Sequence, residues 1–186
     1  MIVYIHGFAS SGLGAKARLV REHFKSEAIA PSLSYVPDLA LDSLKQLIEK
    51  SAVHEPVHLI GSSLGGFYAI HLAETYDLKA VLVNPSIEPY NTLAPYVGTV
   101  TNFYDLTTFE WNRRHVESLR RMKIETATNP ARFLLMLQTG DETLDYRVAK
   151  ERLPGAKMII EEGGSHAFDG FENHFRTIET FFKDHV

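Results

Sequence analysis

Apolar residues along this chain come in short runs, separated by segments where they recur every three or four positions. Ile2-Val3-Tyr4-Ile5, Val57-His58-Leu59-Ile60, Ala80-Val81-Leu82-Val83, Phe133-Leu134-Leu135-Met136-Leu137 and Lys157-Met158-Ile159-Ile160 predict strands, with a weaker one at Ala28-Ile29-Ala30. Nearly unbroken apolar strands belong to a parallel sheet covered on both faces. Between them, helical spacing predicts helices over 15–24, after Ser10-Ser11-Gly12, and over 41–52, where Leu41, Leu44, Leu47 and Ile48 share a face. Further helices are predicted over 64–76, 145–153 and 171–182. Strand and helix in alternation predict an α/β fold, a mostly parallel, doubly wound sheet of about six strands.

One region departs from this alternation. Roughly residues 86–130 follow Pro85, include Pro89 and Pro95, and hold the single tryptophan, Trp111. A structureless loop of that length is unusual in a compact domain, so helices are expected there. Trp111, His115, Leu119 and Met122 fall at helical spacing. The segment reads as a helical cap inserted over the sheet edge, within a single domain spanning 1–186. No repeat or low-complexity tract interrupts the pattern.

Composition narrows the function. Across 186 residues, 19 Lys and Arg against 23 Asp and Glu leave a net charge of −4, so nothing attracts nucleic acid electrostatically. The absence of cysteine removes disulfide frameworks, thiolate metal ligands and cysteine nucleophiles. No apolar stretch approaches the roughly 18 residues of a membrane span. The first apolar run is broken at His6-Gly7, unlike a signal peptide. A cytoplasmic protein is the expectation. With no H-E-x-x-H pair, no metal or organic cofactor is expected. Oligomeric state is not legible.

Gly61-Ser62-Ser63-Leu64-Gly65 matches G-x-S-x-G between a predicted strand and a predicted helix. That context displays a serine on a sharp turn above a parallel sheet. Side chains at Gly61 or Gly65 would crowd the neighbouring elements, and the helix start favours developing negative charge. Ser62 lacks the flanking glycines at the right spacing, so Ser63 is the candidate nucleophile.

A serine hydroxyl needs a base, and the base needs an orienting carboxylate. In this fold the chain order is Ser, then Asp or Glu, then His. Gly140-Asp141-Glu142 follows the strand at 133–138, and Gly163-Gly164-Ser165-His166 follows the strand at 157–161. Both lie past the carboxyl ends of strands, where open α/β sheets bind ligands. His166 is preferred among nine histidines because it alone sits on a late glycine-rich loop. His23, His54, His71, His174 and His185 fall in or beside helical patterns, His58 in a strand and His115 in the cap, within possible reach of substrate. Asp141 is favoured as the acid. Asp145 also follows the strand but reads as a helix N-cap, and Glu142 stands third.

The oxyanion needs preorganised N–H donors. Leu64, after the nucleophile, supplies one; Phe8, in the loop after the first strand, is the candidate for the other. His6 either braces that loop or acts directly. Tyr68 and Trp111 are candidate substrate contacts, with Phe8, Phe67, Phe103, Tyr104 and Phe109 as further aromatics for an acyl pocket or plain core.

These residues together resemble the α/β-hydrolase superfamily over nearly the whole chain, and more narrowly the small bacterial YqiA-type esterases. The resemblance is carried by Tyr4-Ile5-His6-Gly7-Phe8, by Gly61 through Tyr68, by Val83-Asn84-Pro85, by Leu137 through Arg147 and by Glu162 through Phe168. It implies a compact hydrolase lacking the first two strands of the larger fold, a carboxylesterase or thioesterase with Ser63, Asp141 and His166 as triad, acting on a small-molecule ester or thioester.

The cap also carries Arg113, Arg114, Arg120, Arg121 and Lys123 against Glu110, Glu117 and Glu125. This is either a solvated helix face laced by Arg113–Glu117 and Glu117–Arg121 pairs, or a landing site for an anionic leaving group such as coenzyme A phosphates. A peptidase or amidase on the same triad, and a non-catalytic binding protein on the same scaffold, are the alternative readings.

Overall fold

A computed structural model describes residues 1–184. β1 (Ile2–Ile5), β2 (Ala28–Ile29), β3 (His58–Ser62), β4 (Lys79–Val83), β7 (Phe133–Gln138) and β8 (Lys157–Glu161) form one sheet in the order β2-β1-β3-β4-β7-β8. Every pairing in it is parallel. The four inner strands are the ones with nearly continuous apolar sequence, because both of their faces are covered. Alternate residues part to opposite sides. Phe133, Leu135 and Leu137 of β7 pack with α2 (Pro37–Ala52), α3 (Leu64–Tyr76) and α6 (Tyr146–Arg152). Leu134 and Met136 pack with α1 (Ala15–Phe24) and α7 (Phe175–Lys183). The edge strands β2 and β8 are less buried, which explains the weak signal at Ala28-Ile29.

Helix α2 starts at Pro37, a turn before its apolar stripe, with proline in the first turn where its missing N–H costs nothing. In α3, nine of 13 residues are buried, so this helix is covered on more than one side.

The segment between β4 and β7 holds α4 (Pro89–Thr92), α5 (Arg113–Arg121) and an antiparallel pair, β5 (Gly98–Thr101) and β6 (Thr108–Trp111). The pair was not anticipated: its residues are largely exposed and supply no apolar run. Trp111 closes β6 rather than sitting in the helix. Asn112 starts α5 instead, its side chain accepting from the Arg114 and His115 N–H groups while His115 bonds back to the Asn112 N–H. Of the two anticipated i,i+4 ion pairs, neither forms: Glu117 meets Arg120 at 3.5 Å, and Arg121 reaches Asp38 on α2. Among the described residues, no helix is long and apolar enough to cross a membrane.

Candidate active site

The parallel order of the sheet brings the loops leaving β1, β3, β4, β7 and β8 to one edge. Ser63 stands directly between β3 and α3 with φ 55° and ψ −121°, a conformation a non-glycine residue holds only when its surroundings force it. Here the forcing is visible. A methyl at Gly61 would strike the Gly65 carbonyl, and one at Gly65 would strike the Ile5 carbonyl. The turn is therefore squeezed between β1 and α3. The Ser63 N–H donates to the Val83 carbonyl at 3.1 Å, and its carbonyl accepts from Gly66 and Ser86.

His166 Nε2 lies 3.0 Å from Ser63 Oγ. Its Nδ1 lies 2.8 Å and 3.0 Å from the two carboxylate oxygens of Asp141. The Asp141 side chain is only 2% exposed. One of its oxygens also accepts from the Thr143 and Leu144 N–H groups, both at 2.8 Å. Burial pushes the carboxyl upward, but the His166 contact and these two N–H bonds outweigh it and hold it below the usual carboxylate range. The acid is thus kept ionised beside the imidazole. Asp145 is bonded elsewhere: it caps α6 through the Arg147 N–H and pairs with the Arg147 guanidinium. Glu142 touches His166 only through the backbone, accepting its N–H at 3.0 Å.

Phe8 and Leu64 line the same cleft as Ser63 and His166, a space of ≈ 690 Å³. Among the described residues, neither N–H is taken by a protein acceptor. Gly7 packs directly on Ser63, so that a Cβ placed at Gly7 would stand 3.1 Å from Ser63 Cβ. His6 is a brace. Its Nε2 accepts from the Leu33 N–H at 2.9 Å, leaving Nδ1 to donate to the Gly7 carbonyl at 2.8 Å. Burial lowers its pKa, in keeping with that neutral form.

A family model described as "Uncharacterised protein family (UPF0227)" matches residues 1–183. The chain belongs to the UPF0227 family. A curated UPF0227 relative, VP0969 of Vibrio parahaemolyticus, is 26% identical over 188 residues, covering 97% of this chain and 98% of its own. Among solved structures, α/β hydrolase domain-containing protein 10 from mouse aligns with a TM-score of 0.70 at 18% identity, over 96% of this chain and 88% of that one. A monoacylglycerol lipase from Paleococcus ferrophilus aligns at 0.69 and 18% identity, over 97% and 93%. The fold of this UPF0227 member is that of an α/β hydrolase, as its motifs implied.

One expected contact needs correction. Trp111 does not reach the cleft: it is 1% exposed, its indole N–H donates to the Leu93 carbonyl, and its ring lies under Phe8 at 4.9 Å. Tyr68 is buried against the core and faces a smaller cavity of ≈ 140 Å³ that shares Gly7, Phe8 and Leu64 with the cleft. His115 is likewise buried in the start of α5. The α5 cations do not line the cleft either. His185 lies outside the described residues.

Other residues position the site without having been singled out. Asn84, buried after β4, donates to the carbonyls of Ser165 and His166 and accepts from the Gln138 N–H. Gln138, at the end of β7, donates to the Asp169 carbonyl and accepts from the Ser165 and Asp169 N–H groups. Lys16 donates from α1 to the Ala167 carbonyl at 2.5 Å. The available signal was a polar residue ending a buried apolar strand, as at Asn84 and Gln138.

Proposed function

We propose that this protein is a serine hydrolase of esters with an apolar acyl group, working through an acyl-enzyme on Ser63. The observation that carries the reading is the unbroken contact from Ser63 Oγ to His166 Nε2 and from His166 Nδ1 to a buried, ionised Asp141. His166 takes the Ser63 proton as Oγ attacks the carbonyl carbon. The oxygen that gains charge faces the N–H groups of Phe8 and Leu64, which are worth most in a site closed to water. His166 then protonates the leaving oxygen, and the C–O bond of the ester breaks. A water molecule, deprotonated by His166, releases the acid and restores Ser63. Asp141 holds the imidazole in the tautomer that accepts at Nε2 and stabilises the imidazolium that forms.

The apolar cleft wall, which includes Phe8, Leu93, Val100, Phe168 and Phe171, supports an apolar acyl group. The lipase among the structural neighbours is in keeping with ester substrates. Thioesters use the same chemistry, but the α5 cations lie away from the cleft and so give coenzyme A no anchor beside Ser63. A fluorophosphonate probe tests the reading. The intact protein should gain one adduct, located on Ser63, and Ser63→Ala none. An unlabelled protein, or a label that persists in Ser63→Ala, sinks it. A chain-length panel of p-nitrophenyl esters and acyl-CoAs then orders the substrates.

A further inference from the structure

The loop that carries Phe8 has no regular structure between β1 and α1. Ala9, beside Phe8, holds φ 49°, which a non-glycine residue does not keep unaided. What holds it comes from the insertion. The turn joining β5 to β6 crosses to this loop, and there the Phe103 N–H donates to the Ala9 carbonyl at 2.8 Å. Asn102 Nδ2 donates to the Ser10 carbonyl at 3.2 Å. The Phe8 ring meets Phe109 and Trp111 of β6 edge-on, at 5.8 Å and 4.9 Å. Residues 8–10 are thus tied to the hairpin through both backbone and side chain.

Asn102 joins the two halves of this connection. Its Oδ1 accepts from the Tyr104 N–H at 2.8 Å, fixing the turn. Its own N–H donates to the Thr107 carbonyl, and its carbonyl accepts from Leu106. Its Nδ2 makes the bond to the loop. Asn102 lines the smaller cavity and not the cleft beside Ser63.

We propose that the β5–β6 hairpin is a strap that fixes the oxyanion loop, with Asn102 as the positioning residue for the Phe8 N–H. This rests on the serine-hydrolase reading above. A strap acts on where charge develops, not on how substrate is held. Its loss therefore falls on kcat and leaves KM and the pH profile nearly unmoved.

Asn102→Asp separates the roles, because it keeps the oxygen that fixes the turn and removes what is, among the described residues, the only donor to the Ser10 carbonyl. With p-nitrophenyl butyrate, kcat should fall about 10- to 100-fold, since removing an oxyanion donor outright costs about 10²–10³ and displacing one costs less. KM should stay within about threefold. The affinity for phenylboronic acid, whose adduct on Ser63 places an oxygen at the oxyanion position, should fall by a similar factor, and amide exchange over residues 7–11 should quicken. Asn102→Ala should fall at least as far. Asp105→Asn, in the same turn but with its carboxylate bonded to Thr107 and not to the Phe8 loop, should leave kcat unchanged. A folded Asn102→Asp enzyme with the parent's kcat, boronate affinity and loop exchange overturns the strap alone. Failure of the unaltered protein to take fluorophosphonate on Ser63 removes the hydrolase reading, and the strap's catalytic role with it.

Discussion

Around the cleft, the loops leaving β7 and β8 are held from within, whereas the insertion between β4 and β7 turns apolar side chains outward. Buried Asn84 and Gln138 grip the His166 loop, and two backbone N–H groups grip Asp141. In the insertion, Phe103 is 80% exposed, Leu106 75% and Tyr96 59%. Phe103 and Tyr96 stand at the mouth of the cleft that Ser63 and His166 occupy. Bond-making needs atoms fixed to a fraction of an ångström, and polar networks inside the sheet edge provide that. Holding an apolar group needs only area, which an exposed, adaptable rim can supply. Changes in the first region, and at Asn102 where the hairpin is tied to the Phe8 loop, should therefore move kcat, and changes to the exposed side chains of the rim should move KM.

The largest expected effect is in the first region. Ser63→Ala should lower kcat by about 10⁴–10⁶ with the fold intact. Asp141→Asn should cost about 10⁴, because the amide favours the wrong imidazole tautomer, while Asp145→Asn, a helix cap in either form, should be nearly normal. Steady-state kinetics on both Asn variants decides the matter, and a crippled Asp145→Asn would reverse the assignment. In the second region, Phe103→Ala keeps the backbone N–H that ties the hairpin to Ala9 and removes only the ring. It should raise KM for long-chain esters by about 3- to 10-fold, roughly the loss of one or two buried methylenes, with kcat little changed. A fall in kcat with constant KM would break the division between the regions.

Smaller effects sharpen it. Asp141 is held below its ordinary range when folded, so its contribution to stability is complete above the unfolded carboxylate range, near pH 4, and is lost as pH falls through the lower folded value. The melting-temperature gap between the parent and Asp141→Asn should accordingly narrow below about pH 4; a constant gap would mean that the ionised carboxylate contributes nothing. Asp145→Ala should lower the melting temperature by a few degrees through the lost cap and leave kcat alone.

The same division explains what could be read from sequence. Inner strands such as Phe133–Gln138 were legible because burial on both faces leaves an unbroken apolar run. Ser63 was legible because a crowded turn demands glycines on both sides. Asp141 was preferred to Asp145 because a capping role accounts for the latter, and the cap forms. The β5–β6 hairpin escaped because Gly98–Thr101 and Thr108–Trp111 are short and mostly exposed, so no burial marks them. Trp111 misled because its spacing to His115 and Leu119 is helical although it ends a strand, and because a large aromatic reads alike as pocket wall or as core. Asn84 and Gln138 act through contacts with residues 27 to 81 positions away, so a polar residue ending an apolar strand marks them without naming their partners.

The backbone angle at Ser63 carries a further consequence. Glycine enters φ near 55° freely, while serine there stores about 1–3 kcal/mol of strain. Even after glycine's greater loss of chain entropy on folding, about 0.5–1 kcal/mol, Ser63→Gly should give a protein more stable than either the parent or Ser63→Ala, as thermal melting can measure. Selection for persistence alone would thus drift toward an inert glycine at this turn. A serine kept there is maintained against the thermodynamic preference of its own fold, and the size of that stability gain measures how strongly use must outweigh durability in the history of this chain.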